Sequence, residues 1–168
     1  MSMESKAALP VEEYLRTSFP DLDKEYRDGE LVERSLPDYL HSKTQGLLIV
    51  LLSALRKAFP VFVCPELRLR LRPGLYRIPD VSVFYPTEPQ GRVPDTPPLV
   101  AVEVLSLDDK MTKVREKLAE YSAWGITHVW LVDPHSKRMY IWNAELVEVS
   151  TLRIPELAFE LTPADIFE

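Results

Sequence analysis

One cysteine, three histidines, five glycines and a shortage of positive charge mark the 168-residue chain by scarcity. With Cys64 alone, an internal disulfide and a cysteine cluster for zinc are excluded, and a reducing compartment is expected. The thiol reads as a small buried hydrophobe rather than a nucleophile. Lys and Arg number 20 against 26 Asp and Glu, a formal net charge of −6, which does not favour indiscriminate adhesion to nucleic acid. Local basic surface is still available, from Arg68, Arg70 and Arg72 on one strand face and from Lys110, Lys113, Arg115 and Lys117 on a helix. The longest apolar stretch, within residues 46–55, is too short to span a membrane, and the N-terminus has no signal-peptide pattern. A soluble cytoplasmic protein is expected. Phosphate-binding glycine loops, zinc motifs, nucleophile elbows and internal repeats are all absent from the sequence.

What is present centres on residues 99–106, LVAVEVLS, an apolar run interrupted by Glu103. Strand alternation puts Val100, Val102 and Val104 on one face and Ala101, Glu103 and Leu105 on the other. A short valine-rich run reads as a central strand covered on both sides. A carboxylate there needs a cation, a hydrogen-bond network or a metal, since burying it unpaired is costly. It reads equally as a structural ion pair or a strand-end acid in water. A second acid, Asp80, lies in residues 76–84, YRIPDVSVF, where Pro79 favours a strand edge or bulge. Two such strands joined by a proline-rich loop bring Asp80 and Glu103 to one end of a sheet, and paired carboxylates suit a hard divalent cation. The plainer reading of Asp80 is a Pro-Asp turn residue.

The order of elements follows from local signals. Residues 10–17 read as a short helix with Pro10 at its first position, and Asp28-Gly29 marks a hairpin between residues 25–26 and 30–33. Residues 37–59 form a long core helix with a broad leucine face. Residues 61–72 read as one strand, turned at Pro73-Gly74 into the Asp80 strand, and residues 85–98 as a long loop. After the Glu103 strand, Asp108-Asp109 are placed to cap a helix that stops at Trp124-Gly125. Residues 128–133 are a strand, 138–142 return antiparallel, 147–154 add an edge strand, and Thr162-Pro163 caps a last helical turn. One domain is expected over 1–168, with an αβββαβ core at about 37–142, a helix and hairpin extension at 1–36 and a C-terminal edge strand and short helix at 143–168.

This order, with acids on the second and third core strands, resembles the PD-(D/E)XK nuclease superfamily. More closely the chain resembles the Uma-type restriction endonucleases, a bacterial family. The resemblance rests on EYRDGELVE from Glu25, His41 at the head of the long helix, RIPDVSVF from Arg77, VAVEVLS from Val100, EKLAEY from Glu116 and WGITHVWLVDP from Trp124. It implies a restriction-endonuclease-like α/β fold with a mixed central sheet, Pro79-Asp80 as the "PD" element and Glu103 as the second acid. Where the motif has lysine this chain has Leu105, which cannot contact phosphate. In the subgroup a lysine on the following helix substitutes, here Lys117, and the acid often found one turn earlier is replaced by Lys113. Geometry accommodates this. Lys117 lies about 10 Å along its helix at 1.5 Å per residue, roughly three strand residues, which returns it to the level of Glu103. As a residue on its own, it reads as a surface lysine paired with Glu116 or Glu120.

The resemblance implies a magnesium- or manganese-dependent DNA endonuclease. Asp80, Glu103 and the Val104 carbonyl would hold the metal, which polarises the phosphate and activates a water. Lys117 would orient that water or stabilise the developing charge, with Glu33 and His41 as auxiliary contacts and a homodimer as a further expectation. A nuclease-like domain that has lost catalysis and binds nucleic acid or protein is the alternative, favoured by the acidic net charge and by Leu105. Tyr121, Trp124 and Trp130 read as core.

Overall fold

The computed structural model describes residues 7–168; the first six positions of the N-terminal extension lie outside the described residues. The chain runs α1 (Val11–Arg16), β1 (Glu25–Arg27), β2 (Glu30–Val32), α2 (Tyr39–Ser53), β3 (Phe62–Pro65), β4 (Leu69–Arg72), β5 (Leu75–Arg77) and β6 (Val81–Phe84). It continues through β7 (Val100–Val104), α3 (Met111–Trp124), β8 (His128–Asp133), β9 (Arg138–Trp142), β10 (Leu146–Val149), β11 (Leu152–Ile154), β12 (Phe159–Leu161) and α4 (Pro163–Phe167). A mixed six-stranded sheet in the order β10-β9-β8-β7-β6-β3 forms the centre. Only β7 and β8 are parallel, and α3 is their crossover, as parallel neighbours require. The αβββαβ core is therefore α2, β3, β6, β7, α3 and β8.

Three single strands read from the sequence are each divided in two, and residues 147–154 give β10 in the central sheet and β11 in a separate pair with β12. Residues 61–72 break at Glu66, which has a left-handed φ of 48°, so β3 stays in the central sheet while β4 leaves it. Residues 76–84 break at Ile78-Pro79-Asp80, where proline cannot donate to a ladder, separating β5 from β6. The departed β4–β5 hairpin pairs with the N-terminal hairpin in a second sheet, β2-β1-β5-β4. The N-terminal hairpin is thus built into the fold rather than merely appended. Its turn is the expected Asp28-Gly29, both with positive φ of 47° and 94°, which matches the twist of the flanking strands. Two arginines of the expected basic face, Arg68 just before β4 and Arg72 at its end, are paired within this layer. Arg68 pairs with Asp23 and lies over the Tyr14 ring, and Arg72 pairs with Asp28.

The central sheet is covered on both sides, as its apolar strands require. Val81, Val83, Val100, Val102 and Val104 pack against Leu48 and Leu52 of α2, with Leu152, Ile154 and Ile166 closing that side. Ala101, Val129 and Leu131 face Leu118 and Tyr121 of α3 together with Leu69 and Leu75 of the second sheet. Antiparallel pairing of β6 with β7 runs Val83↔Val100, Ser82↔Ala101 and Val81↔Val102. One further step along the same register sets Asp80 opposite Glu103.

Caps differ in detail from their sequence reading. Pro10 precedes α1 instead of opening it, and Lys110 occupies the cap of α3 with no side-chain bond. Asp109 instead takes the Ser106 N–H at 2.7 Å and the Ser35 hydroxyl at 2.6 Å, tying the loop after β7 to the loop before α2. The C-terminal cap is as read, a reciprocal pair between Thr162 and Asp165. Among the described residues no helix is long and apolar enough to cross a membrane.

Leu118, fully buried between α3 and the sheet, sets the height of the helix that carries Lys117. Leu118→Ala is expected to lower unfolding free energy by about 2–5 kcal/mol. Urea unfolding measures it, and a change below about 1 kcal/mol would show that this contact does not seat the helix.

Candidate active site

The break before β6, the middle of β7 and the second turn of α3 meet at a cleft of about 560 Å³. Asp80, Glu103 and Lys117 all line it, as do Arg34, His41, Lys110 and Lys113. Asp80 is held from several sides. Its Oδ2 accepts the Val104 N–H at 2.7 Å and lies 3.4 Å from His41 Nε2, and its Oδ1 lies 3.4 Å from Arg34 Nη2. The Val104 contact recorded in the structure is thus through its N–H, toward Asp80. Gln45 on α2 donates to the Asp80 carbonyl at 2.9 Å, fixing the backbone at the strand break. Burial alone would raise the Asp80 pKa, but His41, Lys117 and the Val104 N–H outweigh it and hold the carboxyl below its ordinary value.

Glu103 stands in the opposite condition. Burial, assisted by the charges of Asp80 and Glu25, pushes it up to about 7 against the opposing pull of Lys117 and of the Tyr121 hydroxyl. Tyr121 donates to Oε1 at 2.7 Å, and Lys117 Nζ approaches the same oxygen at 3.0 Å. Oε2 has no hydrogen bond among the described residues. Burial and the nearby Glu103 raise the Tyr121 pKa well above its ordinary value, so the hydroxyl keeps its proton and remains a donor. Tyr121 is therefore both the core residue read from the sequence and a support of the site.

Lys117 does not pair with Glu116 or Glu120. Arg27 takes Glu116 and approaches Glu120, and Arg77 Nε donates to Glu120 at 2.7 Å. With those acids occupied, Lys117 turns inward and places Nζ 2.8 Å from Glu25 Oε1 as well as at Glu103. Desolvation would lower its pKa, but Glu103, Glu25 and Asp80 prevail and keep the ammonium charged. Leu105 packs on the α3 side of the sheet, so the ammonium absent from its position is supplied from the helix.

Two residues in the cleft escaped the sequence reading, Glu25 and Arg34. Glu25, in β1, is almost wholly buried and also accepts the Ile78 N–H at 2.8 Å and Arg77 Nη1 at 3.0 Å. It opens the EYRDGELVE stretch, but its local context is a place beside a hairpin turn, where an acid ordinarily faces water. Arg34 follows β2 directly and has an equally plain context. Of the proposed auxiliary residues, His41 adjoins Asp80, whereas Glu33 is 78% exposed on the rim and paired with Lys24.

Whether the residues fit a divalent cation is decided by their open oxygens. Asp80 Oδ1 has only the long Arg34 contact, and Glu103 Oε2 has no partner among the described residues. Two carboxylates with free lone pairs suit magnesium, which keeps several waters and takes one or two acids. Among the described residues no group of three or more His, Cys, Asp or Glu side chains converges to hold a metal. The donor set fits a hydrated hard cation and not a fully protein-caged one.

The profile of the Uma2 family, described as "putative restriction endonuclease", matches residues 11–166, nearly the whole chain. The chain belongs to the Uma2 family. Among solved structures it is similar to a putative nuclease from Anabaena variabilis ATCC 29413, with a TM-score of 0.74 and 24% identity over 93% of this chain and 96% of that one. That similarity supports the restriction-endonuclease-like α/β fold expected from the motif order. No curated protein is matched. The Uma2 stretches read from the sequence, around Asp80, Glu103 and Lys117, are those that converge on the cleft.

Tyr121→Phe removes one donor from the ionised form of Glu103, so the Glu103 pKa is expected to rise above its wild-type value. Carboxyl ¹³C shifts followed against pH report it, and an unchanged midpoint would show that the phenol does not tune the acid.

Proposed function

We propose that the cleft is the active site of a divalent-metal-dependent phosphodiester hydrolase acting on DNA. The observation that carries this reading is the convergence of two carboxylates with open oxygens and one charged lysine in a cleft of a Uma2 fold. Asp80 and Glu103 would hold the cation, with the Val104 carbonyl as a backbone donor. When bound, magnesium or manganese would supply Lewis-acid polarisation of the phosphodiester and a water more acidic than bulk water.

The chain's own groups do the remaining work. Lys117 presents a fixed positive charge to the phosphate as negative charge builds on it, an arrangement that needs no reorganisation during reaction. Glu25 holds that ammonium in place, Tyr121 orients Glu103, and the Val104 N–H orients Asp80. Lys110 and Lys113 on the cleft wall draw a polyanionic backbone to a protein whose net charge is −6.

Titration of magnesium or manganese into the wild type and into Asp80→Ala with Glu103→Ala tests the site, alongside cleavage of mixed single- and double-stranded DNA. Binding and cleavage are expected to vanish together in the double variant. Metal binding that survives it, or DNA left intact by wild type with metal, contradicts the reading. A proton on Glu103 competes with the cation, so metal affinity is expected to climb as pH rises through about 7 and then level off. A flat profile between pH 6 and 8 would show that Glu103 is not a ligand. Lys117→Ala is expected to bind metal and lose turnover by about 10²-fold or more. It leaves Glu103 without its cation while Glu25 keeps Arg77, which costs at most about 3–5 kcal/mol of stability, so turnover is compared well below its melting temperature.

A further inference from the structure

Arg34 lies between β2 and α2, outside the acids and lysine discussed above. Its side chain is 8% exposed, yet it lines the cleft beside Asp80. An arginine carries five donors in a rigid fork and keeps its charge under all ordinary conditions. Only Nη2 has partners, Glu66 Oε1 at 3.3 Å and Asp80 Oδ1 at 3.4 Å, both long for charge-assisted bonds. Nη1 is buried with no hydrogen-bond partner among the described residues. Across Asp80, His41 leaves Nδ1 buried and unpartnered as well.

A buried polar nitrogen without a partner forfeits its hydration and gains nothing in return, so such atoms are rare. Arg34 and His41, which flank one carboxylate through Nη2 and Nε2, each keep a second nitrogen unsatisfied among the described residues, which favours a polar ligand beside them. Charge then selects its class. The Arg34 guanidinium is a permanent cation, and the spacing of its fork matches two oxygens of one phosphate. Lys110 and Lys113 line the same cleft, and Lys113 is 76% exposed and held only by a long 3.9 Å contact with Glu116. These lysines attract a backbone without fixing it, whereas a buried fork fixes one phosphate in position.

We propose that Arg34 anchors a phosphate subsite in the cleft, binding the non-bridging oxygens of one backbone phosphate of the nucleic acid. The identity of that phosphate rests on the nuclease reading; the anion-binding property does not. Arg34 thereby sets the register of the strand relative to Asp80 and Glu103, and the N-terminal segment contributes directly to substrate binding.

The test uses metal-free full-length protein and no DNA. Inorganic phosphate is titrated while arginine Nε–H and lysine side-chain signals are followed by ¹⁵N-resolved NMR. The Arg34 signal is expected to move and saturate. Arg34→Gln is expected to weaken phosphate binding by about tenfold or more, the scale of losing one charge-assisted bond. Arg34→Lys, which keeps the charge and loses the fork, should fall between the two. The wild-type Arg34 signal decides the matter if a variant fails to fold. Phosphate shifts confined to Lys110 and Lys113, or undiminished affinity in folded Arg34→Gln, overturn the subsite. Binding through Arg34 in a protein that cleaves no nucleic acid upholds the subsite and overturns the nuclease reading alone.

Discussion

The Lys117 ammonium, held between Glu25 and Glu103, is the constraint on which the site depends. Three elements distant in sequence supply the three charges: β1, β7 and α3. Loss of the lysine leaves Glu103 with no cation at its carboxylate, and breaking a buried pair by removing one partner costs more than the net worth of the pairing itself. The same logic extends outward. Arg77 bonds both Glu25 and Glu120, and Arg27 takes Glu116, so the second sheet is clamped onto α3 by alternating charges. The N-terminal hairpin consequently does more than cover a face; it holds the side of the cleft from which the lysine is positioned.

Two acids opposite one another in the register are given contrasting protonation behaviour by their surroundings. Asp80, at the strand break, is buried, but His41, Lys117 and a backbone N–H outweigh that burial, and its pKa falls. Glu103, one strand over and on the α3 side, is desolvated and faces two other acids, and its pKa rises to about 7. The contrast arises from the fold, since Glu103 lies in a strand buried on both sides.

Much of this arrangement is legible in the sequence, for identifiable reasons. The alternation around Glu103 identifies its face, because a strand covered on both sides leaves no freedom of register. The distance count along α3 brings Lys117 to the level of Glu103, because helix and strand rises are fixed. What escapes is set by long-range pairing. The breaks at Glu66 and at Ile78-Pro79 send β4 and β5 into another sheet, and local alternation carries no trace of that exchange. Glu25 and Arg34 gain their surroundings only once that second sheet has formed. Conversely, Arg68, Arg70 and Arg72 look like a basic face in sequence, yet two of them, Arg68 and Arg72, are paired with Asp23 and Asp28, acids more than forty residues away.

The most direct test of the account is to locate manganese by anomalous scattering in crystals of the protein soaked with that ion. The account predicts a single strong peak bonded by Asp80 and Glu103, with Lys117 still paired to Glu25. Manganese bound elsewhere, or excluded from the cleft while Arg34 remains on Asp80, would contradict it.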